Sequence, residues 1–179
     1  MLYGFTTCGR EAGWVILNGT ILPIMEISEE DNPNACPECG ATWQAGLTCQ
    51  DCFNQMLYWE NEVPRRGAIH HLTVLAYHLQ HPSLYSPEGL KYGLQLLEEF
   101  VERGTTPGQI RKKNRSAVDS GQREWKIRPR PGDEARYPHP VTWHMTAVDV
   151  VNAGADRYID SVREWARSIL DDLRSSENI

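Results

Sequence analysis

The stretch TAVDVVNAGADRYIDSVREWARSILDDL (residues 146–173) carries the clearest structural pattern in the chain. Thr146 followed three residues later by Asp149 is a helix-start signal, and apolar residues then recur at steps of three and four residues. This period is that of an amphipathic α-helix, so we expect one long helix here, kinked at Gly154. The stretch therefore predicts a mainly α-helical protein.

Further helices precede it, and proline or glycine marks their boundaries. A helix start is favoured by Ser or Thr followed by proline, and a helix end is favoured by a glycine just after it. On this basis the helices are expected from Asp51 to before Pro64, from about Gly67 to Gln80, from Ser86-Pro87 to Gly104, and from Thr106-Pro107 onward. Residues 56–179 are thus predicted to form a helical bundle of four to five helices.

The N-terminal residues 1–35 have a different pattern. WVIL (14–17) and TILPI (20–24) flank Asn18-Gly19, the preferred pair for a two-residue type I′ turn. We expect a β-hairpin extension here. The start of the chain lacks a basic region followed by a long apolar run, and no apolar run is long enough to span a bilayer. These features lead us to expect a soluble, cytoplasmic protein with no membrane partner.

Cysteines are spaced in two pairs, CPECG (36–40) and CQDC (49–52). Two cysteines three residues apart on a tight turn place both thiolates on one side, and two such turns supply four tetrahedral ligands. Five cysteines without an export signal also favour a metal over disulfides. We predict a four-cysteine zinc knuckle over residues 36–55 with one structural Zn²⁺ on Cys36, Cys39, Cys49 and Cys52. Two disulfides, a redox dithiol pair and a rubredoxin-like iron remain alternatives.

Four of the six histidines lie within HHLTVLAYHLQHP (70–82) and share one sector of the predicted helix. One hypothesis is a second, catalytic metal site completed by His144, Asp149 or Glu60. It lacks a known spacing such as H-E-x-x-H. The alternative, which we favour, is a set of buried or cleft-lining histidines. A pocket lined by His70, Tyr77, Gln80 and His81 is then the best candidate for a ligand site.

The combination CPECG, CQDCF, HHLTVLAYHLQHPSLY and a long C-terminal helix ending in WARSIL resembles an uncharacterised bacterial domain-of-unknown-function family. The resemblance covers about residues 36–170. It implies that His70, Tyr77, Gln80, His81 and Pro82 match motif positions of the family, whereas His71 and His78 are local additions. It brings no activity with it, and it marks residues 1–35 as an extension.

A basic segment lies on an otherwise acidic chain. Residues 104–137 hold nine Lys or Arg and four acids, although the net charge of the chain is −6. Arg111, Lys112, Lys113 and Arg115 could form a phosphate-binding patch for RNA or DNA. Such runs are more often solvated surface, and the acidic remainder would repel a polyanion. Nucleic-acid binding is therefore possible but not favoured.

Three functions are compatible with these features. We expect most a non-enzymatic accessory or adaptor protein, in which the knuckle and the hairpin present a surface to another protein. The second is an enzyme or small-ligand binder that uses the His70, Tyr77, Gln80 and His81 face. The third is a nucleic-acid-associated protein that uses residues 111–130.

Overall fold

A computed structural model describes residues 14–17, 20–23, 34–43, 47–119 and 126–179. The chain divides into two compact units, residues 1–33 and residues 34–179. In the first unit, β1 (Trp14–Leu17) and β2 (Thr20–Pro23) pair antiparallel, with Trp14 opposite Pro23. The turn predicted at Asn18-Gly19 lies outside the described residues, so the complete type I′ hairpin stays a prediction.

The second unit is helical, as the sequence predicts. Its described residues contain seven α-helices, namely α1 (Cys49–Glu62), α2 (Pro64–Gly67), α3 (His70–Gln80), α4 (Pro87–Val101), α5 (Pro107–Asp119), α6 (Ala147–Asn152) and α7 (Tyr158–Ser175). Pro82–Leu84 adds one 3₁₀ turn between α3 and α4. The number exceeds the predicted four to five because the expected C-terminal helix is divided in two and the short helix α2 lies between two expected helices.

One division lies at the predicted C-terminal helix. Gly154 has a φ of +83°, a left-handed conformation that ends a helix instead of kinking it. As a result α6 ends at Asn152, and α7 begins at Tyr158. The added helix, α2, begins at Pro64, where the first expected helix stops, and ends at Gly67, shortly before α3 follows from His70.

Helix α3 lies at the centre of the unit, in contact with α1, α4 and α7. Seven of its eleven residues are buried, which explains why its sequence is apolar on nearly every face. Helix α7 buries one stripe against it through Val162, Trp165, Ala166, Ile169 and Leu173. The end of α3 is thereby held in the core, where Leu79 and Gln80 are buried.

Helix α4 begins where Ser86 was expected to cap it, since the Ser86 hydroxyl accepts a hydrogen bond from the Gly89 N–H. Residues 126–146 form no helix or strand and run over the surface of the bundle. Among the described residues, no helix combines the length and the apolar character needed to cross a membrane.

Candidate metal centre

The first cysteine pair lies on a tight turn, which we call the knuckle loop (residues 34–43). Ala35 and Thr42 bridge across it, and the Cys36 N–H donates to the Ala41 carbonyl at 2.9 Å. Gly40 has a φ of +66°, so a residue without a Cβ is favoured at this turn. The turn brings the Cys36 and Cys39 sulfurs to the same side.

The third cysteine comes from the first turn of α1. Thr48 caps this helix, since its hydroxyl accepts from the Asp51 N–H while Asp51 accepts from the Thr48 N–H. The cap sets where α1 begins and therefore where Cys49 points. Its sulfur lies 3.3 Å from that of Cys39, well beyond the roughly 2.05 Å of a disulfide. All four cysteines from Cys36 to Cys52 are free thiols.

A histidine joins the three cysteines from the opposite side. His81 ends α3, and its Nε2 lies 3.4 Å from the Cys36 sulfur. The other ring nitrogen, Nδ1, lies 2.7 Å from the carbonyl oxygen of Tyr77. That oxygen can only accept a hydrogen bond, so Nδ1 carries a hydrogen, and Nε2 is the nitrogen that faces the sulfurs and could bind a metal. A backbone partner on one nitrogen is the usual arrangement for a metal-ligating histidine.

A stack of rings holds this imidazole in place. Tyr77 lies between Phe53 of α1 and His81, with its ring centroid 4.2 Å from each. The hydroxyl of Tyr77 donates to Gln50 in α1. The histidine is therefore positioned by the contact between α1 and α3 as well as by its own backbone.

Together these residues form one compact donor set. The ligand atoms of Cys36, Cys39, Cys49 and His81 all lie within 4.8 Å of one another. A tetrahedral zinc ion with bonds of about 2.3 Å to sulfur and about 2.0 Å to nitrogen would place its ligands about 3.5–3.8 Å apart. Each of the four residues is at most 8% exposed. The residues present fit a closed, four-coordinate metal site.

The electrostatics of the cluster favour a cation at its centre. Hydrogen bonds from Cys39 and Cys49 lower the pKa of Cys36, whereas hydrogen bonds to Cys36 and Cys39 raise the pKa of Cys49. Cys36 thus favours the thiolate and Cys49 the thiol when only protons balance the charge. Burial acts to lower the pKa of His81, but its contacts with Cys36, Cys39 and the Tyr77 carbonyl raise it to about 10. A divalent cation would take the place of these protons and hold three thiolates at once.

Cys52, the predicted fourth ligand, does not belong to this group. It lies three residues after Cys49 in α1 and is 2% exposed. Its side chain lines a groove with Trp43, Leu47 and Val148. Burial, and then the charges of Asp51 and Cys39, raise its pKa, so it is held as a neutral thiol. The structure thus brings His81 to the three cysteines as a fourth donor, and Cys52 as a ligand stays a prediction.

The remaining histidines of the 70–82 segment each have a different partner. His70 contacts Glu60, His71 lies edge-on to Phe100, and His78 lies edge-on to Tyr85. Within the part of the chain that the structure describes, the cluster with His81 is the one group of three or more metal-binding side chains. Two of the residues predicted to complete a second site have other roles. Asp149 caps α6, and Glu60 accepts three side-chain hydrogen bonds.

The residues proposed from the sequence to line a ligand pocket are mostly core residues. Gln80 is fully buried, donates to the Met145 carbonyl and accepts from the indole N–H of Trp165. Tyr77 and His81 are buried beside it, whereas the side chain of His70 is 56% exposed. A ligand pocket among these four remains a prediction.

The basic patch lies on α5. Arg111, Lys112, Lys113 and Arg115 are all exposed, and Lys113 forms an ion pair with Glu99 of α4 at 3.3 Å. This contact ties one of the cations to the acidic body of the protein. Binding of nucleic acid at the patch also remains a prediction.

Sequence reasoning missed that His81 lies beside the cysteines and could be a metal ligand with them. It lies 45 residues after Cys36, so no ligand spacing connects them. What could have indicated it is the motif resemblance, which singled out His81 together with the cysteine pairs.

Comparison with known proteins places the chain in a family. No curated protein and no solved structure matches it. The sequence model of the family of unknown function DUF5946 matches residues 34–174, a span that begins at the knuckle loop and ends in α7. The match covers most of the chain, so the protein belongs to the DUF5946 family.

Proposed function

We propose that this protein binds one structural zinc ion through Cys36, Cys39, Cys49 and His81 and acts as a non-enzymatic accessory protein that contacts another protein. The observation that carries the first half is the buried donor set, in which four ligand atoms converge within 4.8 Å. The orientation of His81 by the Tyr77 carbonyl supports it.

A structural role follows from the number of donors. Catalytic zinc sites use three protein ligands and keep a fourth position for water or substrate. Here four protein atoms are available and all are buried, so substrate would have no position on the ion. The ion would instead fasten the knuckle loop to the start of α1 and the end of α3.

Zinc is favoured over iron by the donor types. Iron in a rubredoxin-like site, one of the alternatives from the sequence, takes four thiolates. Three thiolates with one imidazole are a common structural zinc set, and a neutral nitrogen also moderates the negative charge of the site.

The second half of the proposal draws on the surface beside the metal centre. A groove of about 440 Å³, which we call the knuckle groove, is lined by Thr42, Trp43, Leu47, Cys52, Val148, Val151 and Asn152. Leu47 is 55% exposed there, and Trp43 is half-buried. Aromatic and aliphatic side chains at one partly open site are typical of protein–protein contacts. The predicted hairpin of residues 1–35 would extend the same role.

One experiment tests both halves. The tagged chain is purified from its source cells under reducing conditions and analysed by elemental analysis and native mass spectrometry. We expect one zinc per chain and a second protein in a fixed ratio. Leu47→Asp should keep the zinc and lose the partner, whereas Leu84→Asp, a change at an exposed leucine on the Pro82–Leu84 turn, should keep both.

The two halves fail separately. A chain that carries no metal contradicts the zinc site. A zinc-loaded chain that runs alone contradicts the accessory role.

A further inference from the structure

A second concave site adjoins the knuckle loop and the end of α3, and its walls come from two parts of the chain. This cleft, which we call the aromatic cleft, has a volume of about 320 Å³. One wall is formed by Glu38 of the knuckle loop with Pro82 and Ser83 after α3. The other is formed by residues 135–143, which include Arg136, Tyr137 and Trp143. Its size lies at the lower end of the range for small-molecule sites.

Hydrogen bonds hold both walls of the cleft in place, so the cleft is preformed. Both oxygens of Glu38 accept hydrogen bonds from Ser83, one from its N–H at 3.0 Å and one from its hydroxyl at 2.8 Å. On the opposite wall, the Tyr137 hydroxyl donates to the Leu79 carbonyl at 2.8 Å. The backbone of His139 is held at both its N–H and its carbonyl by the side chain of Asn178. A site fixed in this way loses little entropy when a ligand binds.

The surfaces that remain available to a ligand are mainly rings. The rings of Tyr137 and Trp143 meet edge to face with centroids 6.0 Å apart, and both side chains are half-buried. The tyrosine hydroxyl is already bonded, so it is the apolar ring that contributes to the cleft. Pro82, Pro140 and Val141 complete this lining. A flat, apolar body would pack well against such a surface.

The charge that the cleft offers is positive. Glu38, the one acid in the lining, has both oxygens engaged by Ser83. The nearby Glu134 accepts hydrogen bonds from its own N–H and from the Gly132 N–H, and these bonds, with a smaller effect of the Arg136 charge, lower its pKa. Arg136 is exposed at the cleft and forms no ion pair with any residue that the structure describes. A guanidinium presents paired donors that suit a carboxylate.

We propose that the aromatic cleft binds a small aromatic carboxylate, with the ring against Tyr137 and Trp143 and the carboxylate on Arg136. The proposal goes beyond the accessory role, and it holds or fails regardless of whether a partner protein uses the knuckle groove.

The test uses the full-length, zinc-loaded chain and a matched pair of probes. 5-Fluoroindole-3-acetate and 5-fluoroindole-3-acetamide differ only in the charge of the side group, and ¹⁹F NMR titration reports the binding of each. We expect the acetate to bind at one site per chain, and to bind about tenfold or more tightly than the amide. A hydrogen bond to a charged group is worth about 1.5–3 kcal/mol, which corresponds to that ratio.

Three variants locate the site. Arg136→Gln should weaken the acetate about tenfold and leave the amide unchanged, since an exposed arginine contributes little to folding. Trp143→Leu should weaken both probes. Arg167→Gln, a change at an exposed arginine on α7, should alter neither. Equal affinity of the two probes, or an acetate affinity that Arg136→Gln leaves unchanged, would overturn the proposal.

Discussion

At the scale of single residues, the positions of Cys52 and His81 determine which of them could supply the fourth metal ligand. Cys52 follows Cys49 in α1 by three residues, so spacing alone makes it an expected ligand. In the fold that helix turn faces the knuckle groove, and Cys52 packs there beside Trp43 and Val148. His81 reaches the sulfurs because α3 ends beside them, a consequence of tertiary packing that no local spacing encodes.

Two alanine substitutions distinguish the two residues. His81→Ala removes a donor and leaves three buried sulfurs with an open position, so zinc affinity should fall by more than about 100-fold, beyond the usual cost of losing a residue that only orients a ligand. Cys52→Ala should keep the affinity within about threefold and cost only the packing of a small buried side chain. Competition with a chromophoric zinc chelator measures both constants. If Cys52→Ala loses the metal while His81→Ala keeps it, the ligand set is the four-cysteine set predicted from spacing.

At the scale of helices, the sequence predicts the elements well and their divisions poorly. The starts of α4 and α5 follow from Ser86-Pro87 and Thr106-Pro107, because proline and a capping hydroxyl act locally. Gly154 looks like a kink in the sequence but ends a helix in the fold. The choice depends on how α6 and α7 pack, since α6 contacts α1 and α7 contacts α3.

A buried polar network then joins three of these helices. Glu60 of α1 accepts hydrogen bonds from Thr73 of α3 and Tyr158 of α7, and it pairs with His70 at 2.6 Å. Burial, and then the adjacent Glu60, raise the pKa of Tyr158, so its hydroxyl keeps the proton that it donates. A carboxylate in the core is tolerated because each of these donors satisfies it. Hydrophobic periodicity carries no information about this network.

Removing the Tyr158 hydroxyl should show how much the network contributes to the stability of the fold. Tyr158→Phe leaves the buried Glu60 without one of its donors, and we expect the free energy of unfolding to fall by about 1–3 kcal/mol. Tyr58→Phe is the matched control, since Tyr58 also donates to a glutamate, Glu62, but is 56% exposed. That change should stay within about 0.5 kcal/mol. Urea unfolding of the zinc-loaded proteins gives both values, and equal effects would show that the network contributes no more than a surface hydrogen bond.

At the scale of the whole unit, the proposed metal ion would act as a clamp between parts of the chain that are distant in sequence. It would join the knuckle loop and the start of α1 to the end of α3, and Glu38 adds a second attachment at Ser83. The bundle has its own core, to which α3 and α7 contribute many of the buried residues. A domain of about 150 residues buries enough surface to fold on such a core. The clamp should therefore order one end of the unit and add to the stability of the rest.

Removing the metal tests this division of roles. A ligand present at about 1,000 times its dissociation constant stabilises the folded state by about 4 kcal/mol, and each kcal/mol shifts the midpoint of a domain of this size by about 2–4 °C. Chelation under reducing conditions should thus lower the thermal midpoint by about 10 °C while circular dichroism retains most of the helical signal. Limited proteolysis should then cut first within residues 34–43, because three backbone hydrogen bonds are all that hold the knuckle loop itself in the described structure. Added Zn²⁺ should restore both properties and added Mg²⁺ neither, because Mg²⁺ prefers oxygen ligands.

If the chelated protein keeps the same midpoint and the same cleavage pattern, the ion does not hold the knuckle loop to α3. A complete loss of helical signal would instead show that the bundle cannot fold without the clamp.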